Sequence, residues 1–521
     1  MRNPLIITIG REYGSGGRQI GELVAKTLGI AYYDKKLITL AAQKSGLSDE
    51  FIANNEQRVR SGFMQNLAAS AAYSSGFFSS QYLPLSESIF ISEAQVIRDI
   101  AARESAVIVG RCVGAGALAA VGSTGTIMFL ATGFAQGITA GFSILTAQRY
   151  GAGDEKGVKR SVANGMILAV IAAVILTLVC VAIMNPLLHL MNTPSDIFQD
   201  AYTYIMGISV GLTANIFYNL FSSYLRAVGN SQIPLFFLIF SACLNVGLDL
   251  LFIIRGGMGV AGAAWATNLS QAISAVLCAG YIWVKVPSLK PEREHWKIHG
   301  SDTRNQLAAG IPMAFQFAIT ASGTMIMQSA INLFGSVAVA AYTAAAKLQS
   351  LVIQGMIAMG QTMATYGGQN YGCGDVKRIK AGVKAALLAE FVYSVTVALL
   401  MCALLRPCLG LFFTGDVDIS AMMPWAETYC YMTAMFFLPL CTIFIFRNIM
   451  QGCGYGFLPM MGGVSELIAR LIVSMAAMKL LSYPLACFAD PAAWIAAAVF
   501  TGVSYLFVIK KIGRELKEKT T

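Results

Sequence analysis

From about residue 117 to residue 509 the sequence holds one apolar run after another, each long enough to cross the roughly 30 Å hydrocarbon layer of a bilayer as a helix. At that depth no water is present to bond backbone N–H and C=O groups, so runs of this length must satisfy them internally as helices. Spans are expected at 117–147, 161–186, 201–225, 233–254, 259–284, 305–332, 337–366, 382–405, 422–445, 456–480 and 488–509. Only 12% of residues are charged and the mean hydropathy is +0.63, values of a multi-span membrane protein. The net charge of +10 does not point to nucleic acid, because the Lys and Arg residues cluster in short segments between apolar runs. Eleven cysteines without a C-x-x-C pair support neither a disulfide framework nor a zinc site.

Charge also sets orientation. Arg149, Lys156, Lys159 and Arg160 fall in one connection, Lys285, Lys290, Arg293 and Lys297 in another, Lys377, Arg378, Lys380 and Lys384 in a third, and Lys510 to Lys519 in the tail. All of these are expected on the cytoplasmic side, with the C-terminus inside and the protein in the cell membrane. The alternate connections carry Asp196 and Asp200, Asp416 and Asp418, and Asp490.

The membrane region repeats itself. Q-R-Y-G-A-G-D-E-K at Gln148–Lys156 answers Q-N-Y-G-C-G-D-V-K at Gln369–Lys377, and V-G-A-G-A-L-A-A at Val113–Ala120 answers F-G-S-V-A-V-A-A at Phe334–Ala341, both at an offset of 221. L-R-A-V-G-N-S-Q-I-P at Leu225–Pro234 answers M-Q-G-C-G-Y-G-F-L-P at Met450–Pro459 at an offset of 225. Repeats that keep the same inside and outside ends are parallel repeats, two bundles about an axis along the membrane normal, with a substrate cleft between them.

Ionisable groups are costly inside a membrane, so each is a functional hypothesis. Asn245 and Asp249 are one helical turn apart and Thr267 lies in the next span. A carboxylate, an amide oxygen and a hydroxyl make either a hard-oxygen site for Na⁺, a protonatable pocket or a helix-packing network. Glu466 and Arg470 form an i, i+4 pair, which can be structural glue or a substrate or proton site. Lys347, Gln316, Gln361 and Arg447 are weaker candidates. His295 and His299 have metal-compatible spacing but sit in a charged connector that reads as solvated, with no third ligand. The 24 methionines read as packing.

The repeated strings resemble the multidrug and toxic compound extrusion (MATE) family of cation-coupled antiporters, in particular its DinF-like branch, over about residues 113–515. The resemblance implies an all-α polytopic fold of two pseudo-symmetric helical lobes, here with about 11 of 12 helices. It implies alternating access and export of cationic amphiphilic compounds against inward Na⁺ or H⁺, and it assigns Asn245, Asp249 and Thr267 to the N-lobe cation site. The expected protein is monomeric, takes no cofactor beyond the coupling ion, has the lipid bilayer and small cationic amphiphiles as partners, and is not an enzyme. Its lobes run 113–290 and 305–521, joined by a cytoplasmic linker at 291–304.

Residues 1–112 differ in kind. L-I-I-T-I-G at Leu5–Gly10 reads as a buried parallel strand, followed by R-E-Y-G-S-G-G-R and an amphipathic helix to about Leu28. Strand, glycine-rich turn and helix form a phosphate cradle, here Gly14, Ser15, Gly16, Gly17 and Arg18. A Walker A motif needs G-K-[S/T] where this chain has Gly16, Gly17 and Arg18, so the turn is degenerate. With A-Y-Y-D-K-K-L-I at Ala31–Ile38 and V-I-V-G-R-C at Val107–Cys112, the region resembles the first half of the cytidylate kinase-like family, a partial α/β P-loop domain without the lid half.

The two resemblances meet at Val107–Gly116. The first transporter helix, whose end reads D-x-x-I-V-G-R in the family, is represented only by V-I-V-G-R, with Ser105 at the cation-site aspartate and Glu104 beside it. An odd number of spans also places a cytoplasmic-type domain on the far side of the membrane. Three readings stay open: an antiporter lacking its first helix, a nucleotide-regulated transporter or membrane-tethered enzyme, and a non-functional chimera joined at the shared string.

Overall fold

The structure, a computed structural model, describes residues 6–10, 25–27, 31–33, 106–110, 125–190, 195–256, 258–412 and 419–520. Near the N-terminus three short strands, β1 (Ile6–Gly10), β2 (Ala31–Tyr33) and β3 (Ala106–Gly110), form an all-parallel sheet in the order β1-β3-β2. Ile6 and Ala31 both register with Ala106. Parallel pairing of strands so far apart in sequence is the mark of an α/β unit.

The remainder is helical. The N-lobe contains α1 (Gly125–Gly151), α2 (Glu155–Leu190), α3 (Ser195–Ala227), α4 (Gln232–Asp249), which runs on into a π turn at Leu250–Arg255, and α5 (Gly259–Lys285). The C-lobe contains α6 (Gly300–Ile331), α7 (Ser336–Gly372), α8 (Val376–Phe412), α9 (Ile419–Ala434), α10 (Phe437–Gly452), α11 (Phe457–Leu480), the single turn α12 (Tyr483–Cys487) and α13 (Ala489–Thr520). Among the described residues nine helices are long and apolar enough to cross a membrane, and two bent helix pairs bring the number to as many as eleven.

Each expected span has a helical counterpart, with differences. Residues 117–124 of the first lie outside the described residues. The span expected at 422–445 is broken: α9 and α10 meet at 48°, and Pro439 sits in the first turn of α10, where its missing N–H is tolerated. The connector is shorter than expected, because α6 starts at Gly300. His295, read from sequence as solvated, is buried. It sits in a 3₁₀ turn, Arg293–Trp296, and its Nδ1 accepts the Glu292 N–H at 3.2 Å, so the imidazole is spent on capping the connector.

The repeated strings fold alike. In both Y-G-x-G-D loops the second glycine takes a left-handed φ, +72° at Gly153 and +74° at Gly374, which ends one helix. The aspartate then caps the next: Asp154 Oδ1 accepts from Gly157 N at 2.8 Å and Asp375 Oδ1 from Arg378 N at 2.9 Å. The second pair of loops closes with Asn230 N bonded to Leu225 O and Tyr455 N to Met450 O, at 2.9 and 3.0 Å. Each lobe has its own core, around Phe142, Leu212, Leu220 and Tyr224 in one and around Tyr342, Tyr429, Phe437 and Trp494 in the other. The repeat mates α2 and α8 carry the most exposed apolar surface, including Val174, Ile175 and Leu178 on one and Leu388, Val392 and Leu399 on the other. These are lipid-facing stripes.

Candidate functional site

Between the lobes lies a cavity of about 310 Å³. Its wall is mixed: aromatic at Phe129, Phe317 and Phe444, amide at Gln136, Gln316 and Asn448, and, among the described residues, charged at Arg226, Arg447, Arg470, Glu466 and Asp490. A largely apolar chamber with a few convergent polar groups is the general form of a small-molecule site.

One end of the cleft is closed. Gln148 Nε2 donates to Gly452 O at 2.9 Å, and Gln369 Nε2 donates to Ala227 O at 2.9 Å. Gln148 and Gln369 are repeat mates at offset 221, and Ala227 and Gly452 at offset 225. The helix ends that carry the glutamines press together at Gly151 and Gly372. A Cβ on Gly151 would overlap Gln369 O, and one on Gly372 would overlap Gln148 O. Only glycine lets these backbones cross so closely.

The same end is reinforced by ion pairs that the sequence did not indicate. Asp302, 1% exposed at the start of α6, receives Arg149 at 3.1 Å from Nη1 and Arg160 at 2.8 Å from Nε. One turn on, Gln306 Oε1 accepts from Asn164 Nδ2 at 2.7 Å, and its Nε2 donates to Phe142 O and Ser161 O at 3.1 and 2.8 Å. These bonds tie the first helix of the C-lobe to the N-lobe. Lys159 of α2 pairs with Glu292 of the connector, and that contact holds the Glu292 carboxyl below its usual range.

Within the N-lobe, the structure brings Asn245 and Thr267 together: Asn245 Nδ2 donates to Thr267 Oγ1 at 3.4 Å, a long bond, while Thr267 Oγ1 donates to Ala263 O at 3.0 Å. Asp249 stands one turn below Asn245 at the entry to the π turn. Its Oδ1 is buried and finds no hydrogen-bond partner among the described residues. A carboxylate oxygen in that state invites a proton or a cation.

Within the C-lobe, Glu466 and Arg470 do meet, at 3.0 Å, and a third member joins them: Arg470 Nε donates to Asp490 Oδ1 at 2.9 Å. All three are buried. Asp490 was expected in an external connection. The turn of α12 folds the chain back so that α13 starts at Ala489, which carries Asp490 into the lobe instead. Tyr429 donates to Gln349 and reaches Asp490 Oδ2 at 3.5 Å. Sequence reasoning also passed over Glu390, which is 3% exposed in the middle of α8 with Cys441 Sγ donating to its Oε2 at 3.0 Å. Its signal was plain, a lone carboxylate in the apolar run 382–405.

Of the weaker candidates, Gln316, Gln361 and Arg447 line the cavity, and Lys347 is half-buried on α7 without lining it. His299 is half-buried, and its Nδ1 meets Lys297 O at 2.7 Å, so it does not share a site with His295. Ligand atoms of Glu292 and Glu294, rather than of His299, come within 4.8 Å of His295. The phosphate-cradle residues Gly14, Ser15, Gly16, Gly17 and Arg18, with Glu104 and Ser105, lie outside the described residues.

A cytidylate kinase-like family model matches residues 6–117, and the MatE family model matches 105–251 and 312–478, so the two matches overlap across the junction. The chain is 30% identical over 274 residues to the "Probable multidrug resistance protein YpnP" of Bacillus subtilis, covering 52% of this chain and 60% of the relative. It is 25% identical over 329 residues to the "Probable multidrug resistance protein YoeA" of the same organism, covering 62% and 71%. The chain thus spans well under the full length of the first of these relatives. A crystal structure described as MATE in the bent conformation shares the fold with a TM-score of 0.73 at 18% identity, over 92% of this chain and 99% of that one. With the MatE model matched in both lobes and over more than half of its length, the chain is a multi-pass membrane protein that belongs to the MatE family.

Proposed function

We propose that the chain is a multidrug-type efflux antiporter of the cell membrane, working by alternating access and driven by inward Na⁺ or H⁺. One observation carries this reading: the cavity lies between two repeat-related lobes, and its closed end is held by two bonds that are the same bond with the lobes exchanged. Contacts of that kind can break and re-form together as rigid lobes rock. The closed end bears the basic loops, which supports a cytoplasmic seal and a cytoplasmic C-terminus.

Asp249, with its buried unpartnered oxygen, is the proposed coupling group, and Asn245 and Thr267 complete its polar pocket. The Glu466–Arg470–Asp490 cluster is proposed as structural, since each carboxylate already has its guanidinium partner. Residues 1–112 are read as a kinase-like fragment without a catalytic part, 113–290 and 305–521 as the lobes of a monomer, and 291–304 as the linker on the cytoplasmic side. The transported compounds are amphiphiles that the aromatic and amide wall can hold. Family resemblance implies cationic ones, yet both cavity carboxylates are engaged by Arg470.

The full chain in phosphatidylcholine proteoliposomes tests the reading. Rhodamine 6G or fluorescein should move against an imposed Na⁺ or proton gradient. Movement of neither dye under either gradient rejects it.

A further inference from the structure

Among the described residues the cavity wall carries three guanidinium groups and two carboxylates, and the charges are not evenly matched. Arg470 takes both carboxylates, Glu466 at 3.0 Å and Asp490 at 2.9 Å. Arg226 donates to Ser223 Oγ at 2.9 Å. Arg447 lies over the Phe444 ring, 5.1 Å from its centroid. With the Gln316 amide turned so that its oxygen faces this guanidinium, Oε1 accepts from Arg447 Nε at 3.1 Å and Nη1 at 3.2 Å. Among the described residues neither Arg226 nor Arg447 forms an ion pair. Two half-buried guanidiniums therefore face one chamber with only neutral hydrogen-bond partners among the described residues, and Glu466, the acidic group near Arg447, is already bonded to Arg470.

A charge withdrawn from water is costly unless an opposite charge meets it. Arg226 ends α3, where the helix carbonyls offset part of its charge, whereas Arg447 sits inside α10, away from a helix end, and shares its acidic neighbour Glu466 with Arg470. Guanidinium forks match carboxylate, sulfonate and phosphate oxygens in geometry as well as in charge. Around them, Phe129, Phe317 and Phe444 supply flat apolar surface for the rest of the molecule.

We infer that the compound carried in this cavity bears an anionic group, held between Arg226 of the N-lobe and Arg447 of the C-lobe. The assignment rests on the efflux reading and refines its substrate class. It also gives the anion a part in the cycle: because the two arginines stand on different lobes, the ligand is held best while the lobes are drawn together around it.

Two xanthene dyes of similar size and opposite charge provide the test, fluorescein as the anion and rhodamine 6G as the cation. Binding to the purified full chain in phosphatidylcholine nanodiscs, which hold no anionic lipid to compete, is followed by fluorescence anisotropy. Fluorescein is expected to bind at least about tenfold tighter than rhodamine 6G, a difference of about 1.4 kcal/mol. Equal or tighter rhodamine 6G binding overturns the inference. In the double variant Arg226→Gln/Arg447→Gln fluorescein affinity should fall at least about tenfold with rhodamine 6G binding unchanged or improved, and unaltered fluorescein affinity overturns the inference. If the double variant does not elute as a folded monodisperse protein, the wild-type comparison decides alone. Fluorescein bound, with neither dye transported under either gradient, would remove the efflux reading and leave the anion assignment standing. Gradient-driven rhodamine 6G transport with no fluorescein binding would do the reverse.

Discussion

Gln148 and Gln369 make one and the same bond with the lobes exchanged, each amide donating at 2.9 Å to a backbone carbonyl at the end of a helix in the opposite lobe. Neutral hydrogen bonds of this type contribute about 0.5–1.5 kcal/mol each, so the pair biases the closed state by about 1–3 kcal/mol. Replacing both glutamines by alanine should shift the population toward opening at the basic end by about 5- to 150-fold. Oxidative cross-linking of Ala152→Cys to the native Cys373, whose Sγ lies 2.7 Å from Gly151 O, reads the seam. Cross-linking should slow in the double alanine variant; an unchanged rate would show that the glutamines do not hold the closure.

Asp249→Asn keeps the size of the side chain and removes its charge. Gradient-driven efflux should fall to background, while dye binding in the cavity between the lobes persists. Efflux that still follows the ion gradient in this variant would reject Asp249 as the coupling group.

Asp302 accepts from both Arg149 and Arg160 while almost wholly buried. Its replacement by alanine strands two guanidiniums, a change that costs about 3–5 kcal/mol in buried pairs and less here because Arg160 is 36% exposed. The melting temperature in detergent should fall by several degrees. A double-mutant cycle with Arg149→Met should recover part of the loss, since the two residues act as one unit.

Arg470→Met leaves Glu466 and Asp490 buried without a cation, at a cost of about 3–5 kcal/mol. The triple variant Glu466→Gln/Arg470→Met/Asp490→Asn should regain most of the lost stability. Retained stability in Arg470→Met alone would mean that neither buried carboxyl is ionised.

The connector responds to pH through Glu292, whose pKa is lowered by the bond from Lys159. The sign follows from that direction: the contribution is full above the ordinary glutamate pKa and is lost as pH falls through the lowered value. Protection factors for backbone hydrogen exchange over residues 290–299, corrected for the intrinsic pH dependence of amide exchange, should fall in acid and lose that fall in Glu292→Gln.

Much of the fold could be read from the sequence because bilayer thickness and internal repetition are written locally: long apolar runs mark helices, and the two Y-G-x-G-D strings carry their own stop and cap in Gly153, Asp154, Gly374 and Asp375. The Glu466–Arg470 pair was visible because one helical turn separates its members. Asp490 was not, since it lies twenty residues beyond Arg470 and only the turn of α12 brings it inward. The glutamine seam was hidden for another reason. Gln148 and Gln369 stand in recognisable strings, but they bond to backbone carbonyls, and a backbone acceptor has no residue signature. Arg226 went unremarked because it reads as an ordinary basic helix end until the cavity is seen beside it.

β3 has a consequence for the junction where the two families overlap. All five of its residues pair with β1 on one side and three of them with β2 on the other, and among the described residues β1 and β2 meet only through it. Val107–Gly110 cannot serve this sheet and also finish a transmembrane helix. For these residues the water-soluble and the lipid-embedded folds are rival claimants to one stretch of backbone, so any event that draws them into the bilayer dissolves the sheet at its centre.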